Sequence, residues 1–186
     1  CYGSHDDTDP YHGWLLGYNA TNLVLSTNYI FNTTPNATTA AFGANAGEGA
    51  IWMSGNGPMV DDNTNLYVLT GNGSFSQNTN GGDYSDSFLR LSTVSNRLAV
   101  ADYFTPFNQA ALQSSDADLG SGGGLLLPDS VGSAAHPHLL VGCGKEGKIY
   151  LVDRDNLGKF HAGSDTNLQS LPGAVLACGV AAEFPL

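Results

Sequence analysis

Residues 121–155 read SGGGLLLPDSVGSAAHPHLLVGCGKEGKIYLVDRD, and this stretch decides the fold. Three strand-length apolar runs, GGGLLL, HLLVG and KIYLVD, are separated by turn residues at Pro128-Asp129 and at Gly144 to Gly147. A related pattern runs from Ser54 to Thr93, as SGNGPMV, LYVLTG and SFLRLST. Ser54-Gly55-Asn56-Gly57 matches Ser121 to Gly124 at an offset of 67, and Leu66 to Gly71 matches Leu139 to Gly144 at an offset of 73. No segment sustains a helical period. The chain therefore reads as all-β and internally repeated.

Outward from the repeat, the pattern predicts strands at 14–20 and 23–33, then at 51–60, 66–71, 87–93 and 98–104. The loop at 107–119 has room for one helical turn near Gln109 to Leu112. In the second repeat a weaker fourth strand is expected around Lys159 to Ala162, and 163–186 reads as a linker or the opening of another repeat. Four antiparallel strands, repeated, with a Gly-rich first strand, describe a propeller blade. A period near ~70 divides 186 residues into about 2.7 blades, whereas a closed ring needs roughly 4 to 8. The expectation is a partial β-propeller of about two and a half blades: the end of one at 14–35, a complete one at 51–106, and most of the next at 120–162.

Composition narrows the function classes. Apolar residues are 41% of the chain, Gly is 24 of 186, and charged residues are only 12%. That suits short strands and tight turns and argues against disorder. Seventeen acidic and 6 basic residues give a net charge of −11, so no basic footprint for nucleic acid or an anionic membrane can be drawn. No apolar run approaches the ~18 residues of a membrane span. The start at Cys1-Tyr2-Gly3 carries no leader-like segment and reads as an internal piece of a longer protein. Cys1, Cys143 and Cys178 fit no zinc or redox spacing. Asn-x-Ser/Thr sequons stand at Asn19, Asn32, Asn36 and Asn72.

Several motifs carry chemistry on paper. Gly142 to Gly147 satisfies G-x-G-x-x-G, but a strand follows where a dinucleotide site needs a helix, so it reads as a hairpin turn. Asp61, Asn63 and Asn65 have calcium-loop spacing, yet Leu66 stands at the glycine position and Asn72 at the glutamate position. His5, Asp6, Asp7, Asp9 and His12 have no ligand spacing and read as a solvated loop. Pro137 between His136 and His138 argues against a paired imidazole site, and Trp14 and Trp52 read as packing. Turn lengths suggest a working face. The connections at 34–50, 72–86 and 107–119 are long, and in an up-and-down blade they share the end where one blade crosses to the next. Ligand contacts are therefore expected at Asp83, Asp86, Asp116 and Asp118, with Asp61, Asp62 and Asp155 on the opposite, short-turn end.

The segments VDDNTNLYVLTGNG, SFLRLST and HLLVGCGKEGKIYLVDRDNLGKF resemble the repeats of quinoprotein-like (pyrroloquinoline-quinone-type) propeller proteins, a largely bacterial group. Gly147 to Asp153 and Gly158-Lys159 match the Gly-x-Leu/Ile-Tyr-Ala-Leu-Asp strand and its Gly-Lys turn. Asp116 to Ser121 resembles the Asp-x-Asp-Leu-Gly entry to a blade, and the resemblance covers most of 14–160. It implies an extracytoplasmic protein, secreted or periplasmic. The expected function is a binding scaffold for a protein or carbohydrate ligand, completed by further blades. The alternative it implies is an oxidoreductase that takes an alcohol or sugar with pyrroloquinoline quinone and calcium. The adjacent cysteine pair of those dehydrogenases does not occur in this sequence. No catalytic residue is assigned from the sequence.

Overall fold

The computed structural model describes residues 10–38 and 47–172. Strands β1 (Trp14–Tyr18) and β2 (Leu25–Asn32) form a hairpin. Strands β3 (Met59–Val60), β4 (Leu66–Leu69), β5 (Phe88–Ser92) and β6 (Ala99–Phe104) form a four-stranded sheet. A short helix α1 (Gln109–Ser114) leads to β7 (Gly124–Leu126), β8 (Leu139–Cys143), β9 (Lys148–Asp153) and β10 (Gln169–Pro172), a second four-stranded sheet. In both sheets spatial order follows chain order and every pair is antiparallel. Strand makes up 34% and helix 10% of the described residues, so the expected all-β class holds. No closed sheet is found among the described residues.

The two sheets share one core, and alternation along each strand selects the residues that enter it. Met59, Tyr67, Leu69, Phe88 and Phe104 lie on one face of the first sheet by their pairing. Gly124, Gly142 and Tyr150 lie on the facing side of the second. Phe88, Phe104 and Tyr150 stack pairwise with ring centroids 5.8, 6.0 and 5.6 Å apart, all fully buried. Each such ring stabilises by roughly 1.5–3 kcal/mol through burial alone. Gly142 admits this packing: a Cβ there would lie 2.7 Å from Phe88 and 2.8 Å from Leu69. The other face of the first sheet buries Val68, Leu89 and Leu91 completely. The hairpin adds Leu15 and its cross-strand partner Phe31 to the same core.

Two strands fall elsewhere than expected. Of 51–60, only Met59–Val60 is strand. Met53 takes a left-handed φ of 39°, Gly55 one of 78°, and Asn56 N–H bonds back to Met53 O, so the chain turns where a strand would run. Its backbone bonds go sideways, from Met53 N–H to Gly120 O and from Gly71 N–H to Ala50 O. The fourth strand of the second repeat is at 169–172, not at 159–162, so a boundary after 162 would cut through this sheet. Gly158 and Lys159 have φ of 96° and 65°. There the chain crosses to the other sheet: Lys159 N–H bonds Tyr103 O and Thr105 N–H bonds Lys159 O. The free edge of β6 is thereby partly covered. The expected helical turn is present as α1.

Candidate functional site

Antiparallel order places the connections β4–β5 and β6–β7 at one end of the sheet pair. The connections β3–β4, β7–β8 and β9–β10 lie at the other. The first is the crossover end, where the sequence placed the ligand contacts.

Three of the four expected aspartates do converge there. Asp86 and Asp118 are buried, while Asp116 is exposed. Asp118 sits just before β7, and its Oδ1 accepts the Asn72 N–H at 2.8 Å. Its Oδ2 pairs with Lys145 Nζ at 2.6 Å. Lys145 is the second residue of the tight β8–β9 turn and also reaches Asp116 Oδ1 at 3.1 Å. The bond to Asp118, more than the one to Asp116, holds the ammonium above its usual pKa. Asn72 Nδ2 donates to Asp116 Oδ1 at 2.9 Å, which closes the cluster.

Asp86 lies deeper, at 0% exposure, with a left-handed φ of 46°. Its Oδ1 accepts Leu119 N–H at 3.2 Å and its Oδ2 accepts Gln109 Nε2 at 3.3 Å. Burial pushes its pKa from 3.8 to about 7; the bond from Leu119 N–H opposes this and the neighbouring Asp118 charge adds to it. Asp83 is apart from these three. It is fully buried, accepting Asn36 N–H at 2.8 Å and Ser76 Oγ–H at 2.7 Å, and it ties the β4–β5 loop to residue 36. All four expected contacts thus hold the chain's own groups, and of the four only Asp116 is exposed.

The open site is at the other end. A cleft of about 580 Å³ lies between the two sheets, with Val60, Asp61, Tyr67 and Arg90 on one wall and Leu126, Pro128, Asp129, His138, Arg154 and Asp155 on the other. Asp61 builds its floor. Oδ1 accepts the N–H groups of Asn63 and Asn65, and Oδ2 accepts Asn65 Nδ2 and the Tyr67 hydroxyl, each at 2.9 Å. Burial works to raise its pKa, but these bonds outweigh that and hold the carboxyl below the usual range. Burial, then the bond to Asp61, pushes Tyr67 up to about 12. Asp61 is therefore fully engaged as the carboxylate of the β3–β4 turn.

Across the floor, Arg90 Nη1 donates to Arg154 O, and Arg154 Nη2 donates to Asp129 Oδ1 at 3.1 Å. Arg154 is 8% exposed and its buried Nε finds no hydrogen-bond partner. His138 bridges two rim carboxylates, with Nδ1 2.8 Å from Asp155 Oδ2 and Nε2 3.7 Å from Asp129 Oδ2. His136 pairs in the same way with Asp153 at 2.6 Å. Asp129 and Asp155 keep 65% and 57% of their side-chain surface in water. Donors, acceptors and the exposed apolar Val60 therefore line one opening.

Sequence reasoning passed over Arg90, Arg154 and Asp129, and weighed His138 only as half of a paired imidazole site, which it set aside. A signal existed: with only 6 basic residues in the chain, Arg90 inside Phe88-Leu89-Arg90-Leu91 is a cation placed mid-strand among apolar neighbours. Such a residue needs a partner across the sheet interface. Among the described residues no three His, Cys, Asp or Glu side chains converge as a metal-binding group. Cys143 stands half-buried on β8 as a thiol, and Cys1 and Cys178 lie outside the described residues. No helix among the described residues is long and apolar enough to cross a membrane. No protein-family model matches the chain, and no curated protein is significantly similar to it.

Proposed function

We propose that this chain is a section of a β-propeller-type repeat protein acting outside the cytoplasm as a binding scaffold, and that its ligand is a hydroxyl-rich carbohydrate taken in the cleft between the sheets. Two consecutive four-stranded meanders sharing one core support the blade reading. The observation that carries the functional reading is the mixed lining of the cleft. Asp129 and Asp155 offer acceptors, Arg154 and His138 offer donors, and Val60, Leu126 and Pro128 offer an apolar strip. Sugar hydroxyls both donate and accept, so a neutral sugar satisfies both kinds of wall at once, while its C–H face covers the apolar strip. A net acidic chain disfavours an anionic polymer. The rigid sheets on either side hold these groups in place without a ligand.

An array of defined oligosaccharides, with peptides printed beside them, tests this. Binding to a glycan is expected, weakened at least tenfold by Asp129→Ala or Asp155→Ala and unchanged by Asp116→Ala at the crossover end. Loss of binding through Asp116→Ala alone would move the site to the other end. Binding only to peptides would replace the ligand class. Reduction of a dye with an alcohol or aldose, after adding pyrroloquinoline quinone and calcium, would replace the scaffold with the oxidoreductase.

A further inference from the structure

The sequons at Asn19, Asn32, Asn36 and Asn72 are alike in sequence, and the fold treats them differently. A sequon works through two side chains: the asparagine Nδ2, which takes the sugar, and the hydroxyl two residues on, which the transferring enzyme reads. Both have to be reachable, and the finished glycan has to stay in water.

At Asn72 neither is open. Asn72 is 7% exposed, and its Nδ2 donates to Asp116 Oδ1 at 2.9 Å. Ser74 is 5% exposed, and its Oγ accepts Gly47 N–H at 3.1 Å. At Asn32 the hydroxyl is shut in. Thr34 is fully buried; its Oγ1 donates to Glu48 O at 3.1 Å and lies 2.8 Å from His12 Nδ1. Asn32 itself is half-buried within β2, opposite Trp14. Asn36 is exposed, but its Nδ2 lies against the β4–β5 loop, where a Cβ on Gly82 would come within 2.9 Å of it.

Asn19-Ala20-Thr21 is the opposite case. It stands at the tip between β1 and β2, and every residue from 18 to 25 is exposed. The tip is held by its own backbone: Asn19 N–H bonds Val24 O at 2.9 Å, and Leu23 N–H bonds Asn19 O at 2.8 Å. Asn19 Oδ1 accepts Thr21 N–H at 2.8 Å and Asn22 N–H at 3.3 Å. The oxygen is thus engaged by the turn. Nδ2 and the Thr21 hydroxyl have no partner among the described residues. Blades pack through their sheet faces, so further blades would leave a hairpin tip open.

We propose that Asn19 is the N-glycosylation site of this chain, in preference to the other three sequons. This rests on the extracytoplasmic part of the reading above, because the donor, an oligosaccharide on a lipid diphosphate, is met on a secretory route. Asn19 Nδ2 attacks the anomeric carbon of that donor. The carbon's bond to the diphosphate oxygen breaks and a carbon–nitrogen bond forms. Nδ2 gives up one proton to a base of the transferase, and the lipid diphosphate leaves with the electron pair. The two N–H groups on Oδ1 stabilise the negative charge that the amide gathers as the proton leaves.

The full 186-residue chain, secreted from a glycosylating host behind a cleaved leader, tests this by glycopeptide mapping before and after an amidase that releases N-glycans. The glycan is expected on Asn19, and its release should turn that asparagine into aspartate. Asn19→Gln and Thr21→Ala should each lose the glycan, while Thr21→Ser keeps it. All three changes fall on the exposed tip, and circular dichroism checks that each variant is folded. A bare Asn19 in the secreted chain would overturn the proposal. So would a higher occupancy at Asn32, Asn36 or Asn72 than at Asn19. Because the leader delivers the chain to the transferase, neither result bears on where the native protein acts. The same mapping on the protein from its own source does. A bare Asn19 there, with a glycan on the host-secreted chain, would leave the site standing and strike the secretory route from the reading above.

Discussion

At the crossover end Asp86 and Asp118 are closed in and bonded to backbone amides of the chain. At the cleft end Asp129 and Asp155 stand more than half in water, bonded to side chains that could exchange them for a ligand. The same residue type at opposite ends of the same two sheets therefore does different work. Buried carboxylates lock loops and cost stability when disturbed. Exposed ones contribute little to the fold and stay available. Loop length, which pointed to the crossover end, measures how much chain must be tied down as well as how much is free to bind.

The largest expected effect is at Asp86. Its pKa is raised on folding from 3.8 to about 7. The native state thus favours the protonated acid. Its stabilising contribution is complete below the unfolded value of about 3.8 and is lost as pH rises through about 7. Asp86→Asn mimics the protonated form. It keeps an oxygen for Leu119 N–H, and Gln109 can turn its amide to accept from the new Nδ2. At pH 8 the variant should be more stable than the parent by up to roughly 4 kcal/mol, taking ~1.36 kcal/mol per pKa unit, and the gain should vanish near pH 4. Urea denaturation at several pH values measures both. A variant less stable than the parent at pH 8 would mean that the charge on Asp86 is supported by its surroundings.

Asp118→Ala should come next. It strands the buried Asn72 N–H and takes from Lys145 its shortest ionic contact, at 2.6 Å. The loss expected is about 2 kcal/mol, less than for a fully buried pair because Lys145 is 45% exposed. A drop in the urea midpoint at unchanged slope would register it; no drop would show that Asp116 and solvent suffice for Lys145 and that the amide finds another acceptor. The smallest effect is at Asp129→Ala, at the cleft end. Its partner Arg154 keeps its packing, so the thermal midpoint should move by less than the equivalent of ~0.5 kcal/mol. A large shift there would mean that the cleft is as closed as the crossover end and would remove the contrast between them.

Much of the fold was legible. The apolar runs LYVLTG, SFLRLST, HLLVG and KIYLVD became β4, β5, β8 and β9, because alternation and bounding turns are local signals. The inner strand at 51–60 was not legible, since the left-handed turn at Met53 is imposed by bonds to Gly120 and Ser121, far along the chain. The strand at 169–172 escaped because a crossing to β6 intervenes at Lys159. The repeat match itself misled in one respect. It pairs Leu69 with Gly142, yet the two face each other across the core instead of pointing the same way. Loop length pointed to the aspartates of the crossover end but not to their burial. Burial also answers the sequon at Asn72, which is 7% exposed and too enclosed in the folded chain to accept a glycan. The cleft stayed hidden because its walls come from turns more than sixty residues apart, such as Asp61 and Asp129.

Gly124 and Gly142 make a smooth patch on one sheet, and Leu69 of the other enters it, close enough that a methyl on either glycine would touch its side chain. A knob on one layer and a socket on the next give the stack a polarity. A layer turned over would set a knob against a knob and hold the sheets apart, so these two small residues fix which side of each sheet looks forward.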